Sequence, residues 1–136
     1  MLFRSRWLIE GWGVGTTLEK HMTLPYSDAM KVVPTTGYDR RVRKLLTDDE
    51  RAGAELALAL APEAWPVIPG TGGCRKARVA RSGKGKSGGA RIVYYVMTAH
   101  GVLYLLDIYA KGAKEDLTHA ERNEIRRFVA ALEAEA

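Results

Sequence analysis

Residues 90–109 read Ala90-Arg-Ile-Val-Tyr-Tyr-Val-Met-Thr-Ala-His-Gly-Val-Leu-Tyr-Leu-Leu-Asp-Ile-Tyr109. Two runs rich in β-branched and aromatic residues flank His100-Gly101, which predicts strands over Ala90–Thr98 and Val102–Tyr109 joined by a tight turn. Strand alternation sorts the first run: Arg91, Val93 and Tyr95 share one face, and Ile92, Tyr94 and Val96 share the other. The second set is the more apolar, so helices are expected to cover it.

Working upstream, Arg75–Arg91 carries seven bases (Arg75, Lys76, Arg78, Arg81, Lys84, Lys86, Arg91) and no acid. The chain has 21 Lys+Arg against 16 Asp+Glu, a formal charge of +5, and without this stretch 14 bases face 16 acids. The stretch therefore holds the whole positive excess, and concentrated charge of one sign attracts a polyanion. Within it Cys74–Ala80 reads as a strand and Arg81–Gly89 as a glycine-rich connection. Lys76 and Arg78 lie two apart and share a strand face. A register that brings them beside Arg91 and Tyr95 lines one open sheet surface with three cations and an aromatic ring. Such a surface can hold consecutive phosphates while a base stacks. The plainer readings are a solvated, charge-rich hairpin for the bases and ordinary strand packing for Tyr94, Tyr95, Tyr104 and Tyr109.

Further upstream the pattern is regular from Met30. Lys31–Thr36 reads as a short strand, and Tyr38–Leu46 as a helix with Val42, Leu45 and Leu46 on one side and Arg40, Arg41, Arg43 and Lys44 on the other. Thr47-Asp-Asp-Glu50 is a capping box that opens a second helix through Leu56, Leu58 and Leu60, ended by Pro62. The two helices form an antiparallel pair suited to cover a sheet. Pro66–Gly73 is a loop. Downstream, Thr118-His-Ala-Glu121 is another capping box, and the last helix presents Ile125, Phe128, Val129 and Leu132 on one face. The expected fold is α+β in the order β-α-α-β-β-β-α, with a small, mostly antiparallel sheet. Residues 30–136 form the domain. Residues 1–29, broken by Gly11, Gly13, Gly15 and Pro25, read as a poorly ordered extension or an over-extended start, with Met22 and Met30 as later starts.

Several function classes find no support. The chain lacks an apolar run of membrane-spanning length and a secretory cleavage pattern. A single cysteine, Cys74, excludes an internal disulfide and fits a reducing cytosol. Gly85-Lys86-Ser87 resembles the end of a phosphate-binding P-loop, but Ala80 stands where that motif needs glycine, and a strand follows where it needs a helix. His21, His100 and His119 form no pair, and neither metal ligation nor a Ser-His-Asp order is suggested. No cofactor is implied. Proton transfer in a hydrolase of this composition falls to Lys, Arg, Tyr or a carboxylate.

Three blocks together resemble a known family: Val67-Ile-Pro-Gly-Thr-Gly-Gly-Cys-Arg-Lys-Ala-Arg, Gly83-Lys-Gly-Lys-Ser-Gly-Gly-Ala-Arg-Ile-Val-Tyr-Tyr and Leu105-Leu-Asp-Ile-Tyr-Ala-Lys-Gly-Ala-Lys-Glu-Asp-Leu-Thr. They resemble the RelE/ParE superfamily of type II toxin–antitoxin toxins, in its HigB-like branch, from about Lys31 onward. The resemblance implies a cytoplasmic, ribosome-dependent mRNA endonuclease neutralised by a cognate helix-turn-helix antitoxin. It implies metal-independent attack of a 2′-hydroxyl on the adjacent phosphate, with cations stabilising the phosphorane. The family's strand arginine falls on Arg91, its basic pair on Lys76 and Arg78, and the basic residue ending the last strand on Lys111. Arg75, Arg81, Lys84, Lys86, Lys114, Tyr95 and Tyr109 are the expected RNA-binding residues. Two positions depart from the family pattern: Gly112 stands where an arginine is expected and Thr118 where a tyrosine is. The alternatives are a ParE-like gyrase inhibitor without RNase activity, or a non-catalytic remnant that only binds antitoxin.

Overall fold

The computed structural model describes residues 30–82 and 89–135. The expectations placed on residues 1–29, Lys84 and Lys86 lie outside those residues. The elements are β1 (Lys31–Pro34), α1 (Thr36–Leu45), α2 (Asp48–Leu60), β2 (Arg75–Val79), β3 (Ala90–Met97), β4 (Val102–Ala110) and α3 (His119–Glu135). A short 3-10 turn at Thr98–His100 closes on Gly101, whose φ of 67° lies in the left-handed region that favours glycine. This is the α+β order read from the sequence. The sheet runs β1-β4-β3-β2, with β1 parallel to β4 and the other pairs antiparallel.

Both helices of the first pair start at a threonine for the same reason. The first amides of a helix lack intrahelical partners, and a side-chain oxygen supplies one. Thr35 accepts from the Tyr38 amide and donates to the Leu105 carbonyl at 2.9 Å, so the cap of α1 is also its tether to β4. Thr47 and Glu50 satisfy each other's amides in the capping box that opens α2. The two helices are joined by a buried polar cluster. The fully buried Glu55 accepts from the Tyr38 hydroxyl at 2.8 Å and from Arg51 at 2.9 Å, while Arg51 also reaches Asp39 at 2.8 Å. Burial, then the charge of Glu55, pushes the Tyr38 phenol far above its ordinary pKa.

The three leucines of α2 do not share one environment. Leu58 is buried, but Leu56 and Leu60 are 41% and 61% exposed. Residues two apart on a helix diverge by about 200°, so three leucines at that spacing cannot share one face. Glu55 and Ala59 are the other buried residues of α2.

The helix pair covers the sheet face that carries Ile92 and Tyr94, as expected, and the Tyr94 hydroxyl donates to the Pro62 carbonyl at 2.8 Å just beyond α2. α3 covers part of the opposite face. It begins with its own capping box, Thr118 and Glu121, and buries Ile125, Phe128, Val129 and Leu132. Phe128 meets Tyr104 edge-on, with centroids 6.5 Å apart. Each fully buried aliphatic or aromatic side chain of this kind stabilises the fold by roughly 1.5–3 kcal/mol.

The β3–β4 ladder contains a bulge. Val93 pairs with Asp107 and Tyr94 with Leu105, so Leu106 has no opposite number. The bulge puts Tyr104, opposite Tyr95, and Tyr109, opposite Arg91, on one face. Strict alternation would separate two residues an odd number of positions apart.

Candidate functional site

Strand register brings the expected cations together. Arg78 lies opposite Arg91, and Arg91 lies opposite Tyr109, so the three form one row across β2, β3 and β4. The next row along the same face is Lys76, Val93 and Asp107. Neighbours within a row stand about 5 Å apart and rows about 7 Å apart. Arg78 is exposed and Arg91 and Lys76 are half-buried, so their charged ends reach solvent from a packed base. Arg91 donates to its own neighbour's carbonyl, Ala90, at 3.2 Å. β2 and β3 come together closely at Gly89, where a Cβ would sit 2.7 Å from the Val79 carbonyl oxygen. Only glycine fits there, and the contact fixes the start of β3 and with it Arg91.

The loop after β4 borders this face. The Lys111 amide donates to the Gly89 carbonyl at 2.9 Å, which holds the exposed Lys111 at the end of the sheet where Arg91 stands. Lys114 lies over the Tyr109 ring, 4.9 Å from its centroid, and pairs with Glu121 at 2.6 Å. Tyr109 is only 6% exposed, and its hydroxyl has no hydrogen-bond partner among the described residues. Burial, then the nearby Asp116 carboxylate, pushes its pKa up to about 12, with Arg91 pulling the other way. The phenol therefore keeps its proton at neutral pH. A cleft of about 130 Å³ opens beside it, lined by Arg41, Asp107, Tyr109, Lys114 and Glu121 among others.

Other expected site residues lie elsewhere. Arg75 projects to the opposite face, across from Tyr94, and its guanidinium donates to the Trp65 carbonyl, holding the loop before β2. Arg81 reaches the Leu45 carbonyl at 3.1 Å, at the end of α1. Tyr95 shares the face of Arg91, but it is buried under α3, where its hydroxyl donates to Glu133. Burial, then that hydrogen bond, raises its pKa strongly. Its ring is not open for stacking, and Tyr109, which lines the cleft, is buried as well.

Sequence reasoning missed the carboxylates that balance this face. Asp116 bonds Lys76 at 3.3 Å and Arg122 at 2.9 Å, and Asp107 bonds Arg41 at 2.7 Å. Asp116 stands in a loop, with no periodicity to reveal its target. Arg122 carried one usable signal, its place one residue after the capping Glu121, which puts it in the first turn beside the loop. No group of His, Cys, Asp and Glu suited to hold a metal occurs among the described residues. No helix among them is long and apolar enough to cross a membrane.

Chemically, the face offers two guanidinium forks and an ammonium in adjacent rows, a protonated phenol within the arginine row, and a further lysine at its rim. Forked donors of fixed charge bind paired phosphate oxygens. Residues 69–135 match the family model described as the RelE toxin of the RelE / RelB toxin-antitoxin system. Among solved structures, a free-state double mutant of the E. coli toxin RelE overlaps with a TM-score of 0.48 and 23% identity, over 64% of this chain and 88% of that one. From the loop before β2 to the end of α3, this chain carries the sequence pattern of the RelE toxins of toxin–antitoxin systems.

Proposed function

We propose that the protein is the toxin of a type II toxin–antitoxin pair and cleaves mRNA on the ribosome, as a HigB-like endoribonuclease. The observation that carries the reading is the placing of Arg78 directly opposite Arg91, with Lys76 on the same face and Tyr109 closing the row. Two like charges opposite each other in a ladder are destabilising, so their pairing favours an anionic ligand over a structural purpose. The match of residues 69–135 to the RelE toxin model supports the toxin part of this reading.

In this reading the RNA backbone lies along the row. The 2′-hydroxyl oxygen attacks the adjacent phosphorus, the bond to the 5′-oxygen breaks, and a 2′,3′-cyclic phosphate and a 5′-hydroxyl result. One proton leaves the 2′-hydroxyl and one joins the 5′-oxygen, so the step balances without water. Arg78 and Arg91 hold the charge that builds on the phosphorane. Lys111 at the rim of the row serves proton transfer, and Lys76, one row on, adds positive charge along the RNA backbone. Tyr109 supports the row from below, its buried ring packed under Lys114. The partner is an antitoxin with a DNA-binding helix-turn-helix domain, acting in the cytoplasm.

The test is induction of wild type and Arg91→Ala, with growth and cleavage of ribosome-bound mRNA both followed. A folded Arg91→Ala protein is expected to lose about 100- to 1000-fold in cleavage rate, the scale for removal of one preorganised donor. Full activity in that variant removes Arg91 from the mechanism. Growth arrest by wild type with no mRNA cleavage moves the function to gyrase inhibition.

A further inference from the structure

The loop between β4 and α3 places an anion on the basic face. Asp116 Oδ1 accepts from Lys76 Nζ at 3.3 Å and from the Leu117 amide at 2.8 Å, and Oδ2 accepts from Arg122 Nη2 at 2.9 Å. Three donors from a strand, a loop and a helix thus converge on one carboxylate. Arg122 has a second anchor, since its Nη1 donates to the Pro69 carbonyl at 3.2 Å. Its fork is therefore held in place without Asp116. Partial burial of Asp116 works against its charge, but the Leu117 amide, Lys76 and Arg122 together hold its carboxyl below the usual range.

Two cations and an amide around two oxygens are the donor set a phosphate diester requires. The resident carboxylate is weakly held by comparison with the site it fills. Its side chain is 44% exposed, and ion pairs of such exposure contribute about 0–1 kcal/mol each. An RNA strand already gripped at Arg78 and Arg91 presents its next phosphate at high effective concentration. We propose that Lys76 and Arg122 form a phosphate subsite beside the arginine row, and that Asp116 is a resident anion which an RNA phosphate displaces. The proposal rests on the RNA-cleavage reading for the identity of the ligand, and on the geometry alone for the site. Arg122 thereby becomes an RNA-positioning residue.

Asp116→Asn in the full chain keeps an oxygen for the Leu117 amide and removes the charge. With a short single-stranded RNA followed by fluorescence anisotropy, this variant is expected to bind several-fold tighter than wild type. Its plot of log affinity against log salt is expected to keep the wild-type slope, since the same phosphate is seated, whereas the slope of Arg122→Gln is expected to flatten by about 0.7, the value for one lost phosphate contact on a single strand. Arg122→Gln in the wild-type background is expected to weaken RNA binding, and in the Asp116→Asn background to cancel the gain. Unchanged affinity in a folded Asp116→Asn protein overturns the proposal, as do unchanged affinity and slope in Arg122→Gln. A second probe separates this site from the functional reading: inorganic phosphate titrated into Asp116→Asn, read by NMR at the Lys76 and Arg122 side chains. Saturable shifts there, in a protein that binds no RNA, uphold the anion subsite and remove the RNA reading. No shift at either side chain overturns the subsite.

Discussion

Arg78 and Arg91 face each other across the β2–β3 ladder at the open end of the sheet. Cross-strand pairs contribute on the order of 0.2–1 kcal/mol each, and like charges directly opposite count against the fold. Arg78→Thr, which keeps a β-forming residue in the strand, is expected to raise stability by about 0.5 kcal/mol in urea denaturation. The same variant is expected to lose RNA cleavage by about 100-fold. Opposite movement of stability and activity marks a residue kept for its ligand. A stability loss, or activity at the wild-type level, contradicts this role.

Tyr109 tests the packing beneath the arginine row. Its buried hydroxyl has no partner among the described residues, and an unsatisfied buried polar group costs about 1–3 kcal/mol. Tyr109→Phe is therefore expected to be more stable than wild type by about 1 kcal/mol. Its RNA affinity is expected to match wild type, because the buried hydroxyl does not reach the ligand. Thermal unfolding and anisotropy measured on one preparation check both halves.

Arg51 provides the opposite case, a charge needed by the fold and remote from the ligand. It is the cation for the buried Glu55 and for Asp39, and it lies 5.6 Å from the centre of the Tyr38 ring. Arg51→Ala strands a carboxylate in the core and is expected to cost about 3 kcal/mol or more. At a temperature where the variant is still folded, mRNA cleavage is expected to match wild type. Selective loss of activity in a fully folded protein places the helix pair in the site instead.

Cys74 is fully buried, and burial pushes its thiol up to about 12, despite a hydrogen bond to Thr71 that acts the other way. The thiolate is the reactive form. Alkylation of the native protein at pH 8 is expected to be roughly a thousand-fold slower than after denaturation. Comparable rates in the two states contradict the burial.

Glu50 holds the start of the glycine-rich connection. It accepts hydrogen bonds from the Ser82 hydroxyl and amide, which, with the Thr47 amide, lower its pKa to about 2. A carboxyl whose folded pKa is depressed stabilises above its unfolded pKa and loses that contribution as pH falls through the folded value. Glu50→Gln is therefore expected to flatten the decline of stability between about pH 4.5 and pH 2. Acid titration of wild type and variant, followed by circular dichroism, checks the slope.

The parts of the molecule with a period were legible in the sequence. Alternation placed Lys76, Arg78 and Arg91 on one face, and the register then joined them. The capping boxes at Thr47 and Thr118 located two helix starts because their chemistry is local. Arg75 was grouped with its neighbours by charge, yet the same alternation sends it to the other face. Tyr95 lies on the expected face but under α3, and no strand pattern tells how far a later helix reaches. Asp116 and Arg122 meet Lys76 through tertiary folding alone, with nothing periodic to announce them.

The bulge at Leu106 acts on β4 as a frameshift acts on a message. Residues before it keep one phase, in which Tyr104 faces Phe128, and residues after it keep the other, in which Tyr109 joins Arg91. Counting outward from the turn at Gly101 by strict twos names Ile108, a core residue, as the one that shares a face with Tyr104. A comparison of this strand with an unbulged relative must carry a one-residue gap at Leu106. Without that gap every functional position downstream of it, from Asp107 to Lys111, is matched to its neighbour.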